Sequence, residues 1–247
     1  MQKSEKRIFL AGAGGAIGRR LCPLLVEDGY TIYGTTRKAD RVSMLEDMGV
    51  IPVVVDVFDA GALRSALVAS KPDIVIHQLT DLPLGLDPAL MSEARVRNAR
   101  LREIGTQNLM TAAKAAQVER VVAQSIAFAY APGAVPFEET ASLNIDADDP
   151  AVAVSARAVA SLEQQVLNGP FEGVVLRFGK LYGPGTGFDV APPGGPVHVD
   201  AAADATRRAI TLGEHGIYNV AEEDGTVSSA RARTILKWDP AFSLQPE

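Results

Sequence analysis

Three glycines spaced every third residue, Gly12, Gly15 and Gly18, with Gly14 among them, follow the short apolar run Ile8, Phe9 and Leu10. A helix-competent segment opens at Ala16. A strand that runs through glycines into a helix is a phosphate-binding turn, because only a backbone without Cβ atoms lets N–H groups and the positive end of the helix approach an anion. Gly12 suits the sharp turn, Gly15 the close approach of a pyrophosphate, and Gly18 tight packing of helix on strand. The competing reading is a glycine-rich surface turn that binds nothing.

Downstream, strand-like and helix-like segments alternate, which predicts a parallel sheet covered on both faces. The spacing predicts helices over 16–28, 39–48, 60–70, 88–117, 152–168, 201–212 and 230–236. It predicts strands over 8–10, 30–34, 50–55, 73–79, 120–125, 174–178 and 217–220. At 247 residues the chain suits a dinucleotide-binding core over 1–178 and a small C-terminal part over 179–247 that faces the substrate and returns elements to the core. The net charge of −6 argues against nucleic acid or an acidic membrane as partner. Cys22 is the single cysteine, so no internal disulfide can form, which fits a cytoplasmic protein. The apolar run after MQKSEKR is too short for a signal peptide, and no run reaches the roughly 18 residues of a membrane span. No metal-ligand cluster is expected.

The end of strand two is where an adenosine ribose would lie. Thr35, Thr36, Arg37 and Lys38 offer hydroxyls and two positive charges there, with no carboxylate. A guanidinium matches a 2′-phosphate bidentately, so NADP is expected over NAD, NAD remaining possible; the alternative is a solvated charge pair. Asp56, with Val57 after it, stands past strand three, where it could accept from the adenine amino group or simply close a turn. Four arginines at 95, 97, 100 and 102 read as a solvated flank of the long helix.

Further stretches resemble the extended short-chain dehydrogenase/reductase superfamily, in its NAD(P)-dependent epimerase/dehydratase branch. DIVIHQLT (73–80) is similar to that family's fourth strand, where His77 is structural and Gln78, Leu79 and Thr80 would line the cofactor. GTQNLMTAAKAAQVERVVAQS (105–125), LRFGKLYGPGTG (176–187), VHVDAAADAT (197–206) and ARARTILKWDP (230–240) follow in the family's order. The resemblance covers most of the chain. It implies a Rossmann-type doubly wound fold, a cofactor set of Gly12, Gly15, Ala16, Ile17, Gly18, Arg37, Lys38, Asp56, Val57, Gln78, Leu79 and Thr80, and a homodimer through the long helices.

The departures bear on chemistry. The family's proton donor is a Tyr helped by a Lys, as YxxxK on the helix after strand five. Register from Glu163 puts Ser155 and Val159 at those two positions, and no YxxxK exists in the chain. Aligning on Tyr130 leaves Ile126 at the family's catalytic serine and Ser125 one residue early. Ser125, Tyr130, Lys180 and Tyr182 are therefore the candidates for a relocated catalytic set. The substrate-domain insertion is nearly absent between Asp224 and Ser228. These features predict an NADP(H)-dependent oxidoreductase for a small carbonyl or sugar-like molecule, or else a catalytically silent NADP-binding redox sensor.

Overall fold

The computed structural model describes residues 6–244; the lead residues 1–5 lie outside them. Strands β1 (Arg7–Ala11), β2 (Thr31–Thr36), β3 (Ile51–Val54), β4 (Ile74–His77), β5 (Arg120–Ile126), β6 (Glu172–Phe178) and β9 (Gly216–Val220) form one seven-stranded sheet in the order β3-β2-β1-β4-β5-β6-β9. Every pairing in it is parallel. This is a Rossmann-type doubly wound sheet, and the strand order reverses between β1 and β4. Ligands of such sheets bind at that reversal, beyond the C-terminal strand ends.

The sheet is covered because its strands alternate toward two cores. Ile8 and Leu10 of β1 pack with α1 (Ala16–Glu27) and α7 (Val199–Ala209), while Phe9 and Ala11 pack with α3 (Ala60–Ser70), α5 (Thr106–Ala115) and α6 (Pro150–Leu167). Central strands apolar on both faces need helices on both faces. Cys22 is fully buried in α1, and burial pushes its thiol up to about 12. It is a packing residue. The C-terminal stretch rejoins the core: β9 extends the sheet, and the Trp238 indole donates to the Ala201 carbonyl at 2.8 Å. Two short strands, β7 (Lys180–Tyr182) and β8 (Pro196–His198), pair with each other outside the main sheet.

Several boundaries differ from the sequence expectation. Thr35 and Thr36, expected in a turn, are the buried end of β2, paired with Val53 and Val54. α2 is only Val42–Asp47, behind a 3₁₀ turn at Ala39–Arg41. The single helix expected over 88–117 is a 3₁₀ turn (Pro88–Leu90), α4 (Met91–Arg100), a π turn (Leu101–Gly105) and α5. Crowding accompanies the π turn: a Cβ on Gly105 would stand 3.0 Å from Leu101 and 3.2 Å from Val57. The closing helix is reduced to a π turn at Ala232–Leu236. The expected start of the sixth helix moves back to Pro150, because Asp149 caps it by accepting from Ala151 N–H.

Candidate cofactor and substrate cleft

The turn between β1 and α1 presents backbone. Gly12 has φ +99°, and a Cβ there would stand 2.6 Å from the Gln78 carbonyl oxygen, so the turn lies pressed against the end of β4. A Cβ on Gly18 would stand 2.4 Å from the Ala13 carbonyl, which holds α1 close to the turn. Gly15 is the N-cap of α1 with ordinary extended geometry, φ −77° and ψ 175°, and a Cβ there would meet only the Gly12 oxygen at 3.3 Å. α1 has no side-chain cap and no acidic residue in its first turn. By contrast, Asp59, Asp149 and His198 cap α3, α6 and α7. The N–H groups of Ala16 and Ile17, whose side chain is core, thus remain at an open, positive helix end. A turn held tight at Gly12 and Gly18 beside such an open helix end fits a dinucleotide pyrophosphate.

The other expected cofactor residues gather on the same sheet edge. Thr35 Oγ1 accepts from Gly12 N–H at 3.3 Å. Arg37 and Lys38 are exposed just beyond β2, and Arg37 makes only a long ion pair, 3.6 Å, with Asp81. Exposed pairs of this kind contribute little, so the guanidinium is available to a phosphate. The 3₁₀ turn folds Arg41 back as well: its guanidinium would lie 3.9 Å from a Cβ on Gly14. Sequence reading missed Arg41, which only the 3₁₀ turn after Lys38 brings back toward Gly14. Asp56 is exposed and accepts from Phe58 N–H at 2.9 Å, a turn contact. Val57 is core, its carbonyl accepting from Asn108 at 2.9 Å. Gln78 is buried against Thr206, with Leu79 and the exposed Thr80 continuing past β4.

The candidates for a relocated catalytic set fall apart: Ser125 and Tyr130 share one polar chain, whereas Lys180 and Tyr182 each have other partners. Ser125 is buried and donates to Glu163 at 2.7 Å. Glu163 also takes both arms of Arg177, at 2.8 and 2.7 Å. Arg177 in turn donates to Tyr130 Oη at 3.0 Å, and Tyr130 donates to Asn219 at 2.6 Å. Ser125 and Tyr130 therefore belong to one buried chain of polar groups that ties α6, β5, β6 and β9. Burial raises the Tyr130 phenol in spite of Arg177. Tyr182 donates to Glu222 at 2.8 Å, and burial with that carboxylate pushes its phenol up to about 12. Lys180 donates to the Pro193 carbonyl at 2.7 Å. Each hydroxyl or ammonium is already engaged, and Val159 is fully buried.

One residue assigned to the solvated flank belongs elsewhere. Arg102 is only partly exposed, unlike Arg95, Arg97 and Arg100, and the π turn aims it across to α6, where Nη1 lies 3.4 Å from Ser155 Oγ. No periodicity rule signals this, because the π turn shifts the face that the residue occupies.

A sequence profile described as NAD(P)H-binding matches residues 12–210. The chain belongs to the NAD(P)H-binding family. A relative in it, the 3-diazoavenalumate denitrifying reductase of a Streptomyces species, is 39% identical over 238 residues, covering 88% of this chain and 76% of that protein. Among solved structures, the UDP-glucose 4-epimerase of Thermotoga maritima with UDP-glucose is similar with a TM-score of 0.78 at 16% identity, covering 96% of this chain and 94% of that one. The Thermus thermophilus UDP-glucose 4-epimerase complex with NAD gives 0.75 at 21%, covering 97% and 95%. These structures establish the epimerase-type Rossmann fold expected from the sequence. Among the described residues, no helix is long and apolar enough to cross a membrane, and no cluster of three or more His, Cys, Asp or Glu could hold a metal ion.

Beneath the cleft of this NAD(P)H-binding protein, His77 is fully buried, with Nε2 2.9 Å from Thr106 Oγ1 and Nδ1 accepting from Leu79 N–H at 3.3 Å. Burial, aided by the Arg102 charge, pushes its pKa down to about 4. A folded-state value below the ordinary 6.5 means that its stabilising share is complete above about pH 6.5 and is lost as pH falls toward 4. That share is about 3 kcal/mol at full size. Urea titrations of the wild type and His77→Asn between pH 7 and 4 should converge as pH falls. Parallel curves would remove His77 as the cause.

Proposed function

We propose that this protein is an NADP(H)-dependent reductase that passes a hydride to a small, electron-poor acceptor needing no tyrosine acid. The observation that carries it is a close-packed glycine turn at the uncapped start of α1 in a chain that contains no YxxxK. A nicotinamide bound there would supply the hydride. Arg37, Lys38 and Arg41 would hold the 2′-phosphate, and the first turn of α1 the pyrophosphate. Gln78, Leu79 and Thr80 would line the nicotinamide side, and the closed Ser125–Glu163–Arg177–Tyr130 chain keeps the sheet edge rigid beside it.

Reduction of a carbonyl or sugar-like molecule leaves an alkoxide that must be protonated, a step for which positioned acids contribute about 10²–10⁴-fold. An arenediazonium does not have that requirement. Hydride from a bound dinucleotide would take the place of dinitrogen, the carbon–nitrogen bonding pair would depart with N₂, and no proton would be consumed. The relative named as a diazo-compound denitrifying reductase supports this acceptor class over the carbonyl class.

The test is NADPH consumption with benzenediazonium and with a panel of aldehydes and ketones, corrected for the rate without protein. NADPH deuterated at the transferred position should place deuterium on the ring carbon that loses nitrogen. Wild type should prefer NADPH to NADH, and Arg37→Ala should lose most of that preference. Brisk carbonyl reduction without diazonium reduction would reverse the substrate assignment. Tight NADPH binding with no turnover on any acceptor would favour the second reading, a silent redox sensor, which the engaged state of Ser125, Tyr130, Lys180 and Tyr182 also suits.

A further inference from the structure

Arg102 is a partly buried cation for which the fold supplies no carboxylate. Its one hydrogen-bond partner is Ser155 Oγ, at a long 3.4 Å, and no Asp or Glu lies within ion-pair distance of it among the described residues. The neighbouring arginines behave differently. Arg97 pairs with Asp81 and Glu93, and Arg100 stacks over the Phe58 ring at 4.7 Å. The two charged or titratable groups felt by Arg102 from the elements packed against it are His77 and Glu163. His77 is held neutral. Glu163 is already taken by both arms of Arg177 and by Ser125.

Withdrawing a guanidinium from water without an anion is costly. Burial lowers its pKa to about 10, with Glu163 pulling the other way, so it stays charged at neutral pH. Its origin in a π turn matches that cost, since such turns recur where a side chain must be re-aimed for function. Five N–H donors in a fixed fork, one contact from a hydroxyl on α6, form an incomplete anion clamp. The clamp stands at the helix position vacated by the proton-donating Tyr.

We infer that Arg102 and Ser155 together bind an oxyanion of the substrate, so that the reductase acts on aromatic molecules carrying a carboxylate or a phenolate. The inference rests on the reductase reading for the words "the substrate", but the clamp itself is testable without turnover. A guanidinium anchors such an anion by a charge-assisted bidentate contact and stabilises charge on it by a fixed field rather than by giving up a proton. Arg102 is thus a positioning residue in hydride transfer, and the rate should show no titration of a donor acid between pH 6 and 9.

Calorimetric titration of the full-length protein, with and without saturating NADPH, uses benzoate and 4-nitrophenolate as probes and benzamide as the neutral control. Wild type should bind at least one anion and bind benzamide at least about tenfold more weakly. Whichever anion binds identifies the oxyanion class. Arg102→Met should lose about tenfold or more of that anion affinity, Arg102→Lys should retain part of it, and both should keep wild-type NADPH affinity. Ser155→Ala should show a smaller loss and covers the case in which Arg102→Met does not fold. Anion binding unchanged in Arg102→Met, or in both Arg102→Lys and Ser155→Ala, overturns the inference. Absence of anion binding to wild type also overturns it. Failure of NADPH to bind instead overturns the reductase reading, while the titrations without cofactor still decide the clamp.

Discussion

Gly15→Val should fold with nearly wild-type stability and lose NADPH affinity on the order of 10²-fold or more. The substitution separates cradle from core. Gly15 has a β-region backbone that valine adopts readily, and a Cβ there meets one carbonyl oxygen at 3.3 Å. The new methyl groups would project where a pyrophosphate must contact the N–H groups of Ala16 and Ile17. Each charge-assisted hydrogen bond lost costs about 1.5–3 kcal/mol, and about 1.4 kcal/mol is tenfold in affinity. Gly18→Val is the contrast, because its Cβ would collide with the Ala13 carbonyl at 2.4 Å and should destabilise the fold itself. Nicotinamide fluorescence reads the affinity and a thermal melt reads the fold. Wild-type affinity in Gly15→Val would show that no pyrophosphate sits at this turn.

Arg177→Leu should destabilise the protein by about 3–5 kcal/mol, because it leaves the Glu163 carboxylate buried without its cation. Glu163 and Arg177 are each nearly inaccessible, at 5% and 4% of side-chain exposure, and meet in a bidentate pair. Such a loss is a large part of a typical domain's 5–15 kcal/mol. The pair matters less as a source of stability than as a commitment: once one charge is buried, its partner must be too. The double variant Arg177→Leu with Glu163→Leu should therefore recover most of what the single variant loses, apart from the Ser125 hydroxyl left unpaired, since Tyr130 keeps its bond to Asn219. Urea denaturation measures both. A single-variant loss below about 1 kcal/mol would mean that water reaches Glu163.

The two results bear on different layers of the same edge. Gly15 is an exposed position of the glycine turn whose Cβ would meet one backbone oxygen, so the first variant is expected to isolate backbone geometry from the core. The Glu163–Arg177 pair cannot be altered singly, because it joins α6 to the central strands on which the cleft is built. Tyr130 and Ser125 are drawn into that second layer, each hydroxyl donating to a buried partner.

The sequence by itself determined the sheet, the glycine turn and the absence of any YxxxK string. Apolar strand runs, glycines at 12, 15 and 18, and the identities of residues 155 and 159 are local facts, and a Rossmann unit is assembled from local periodicity and turn chemistry. The extent of β2 into Thr35 and Thr36 was not legible, since two threonines look equally at home in a strand or in a turn until Val53 and Val54 pair beside them. Only the tertiary structure decided what each polar side chain touches. Arg95, Arg97, Arg100 and Arg102 look alike in sequence, yet one π turn rotates Arg102 out of the solvated flank and toward Ser155, 53 residues away. Ser125 and Tyr130 are joined through Glu163 and Arg177, and Tyr130 goes on to Asn219, so that the chain of contacts draws on α6, β6 and β9. Side-chain partnership depends on packing between elements far apart in the chain, and a hydrogen bond's energy falls away within fractions of an ångström and a few tens of degrees. Local pattern therefore fixes the frame, and only the packed frame decides which of its charges meet a partner.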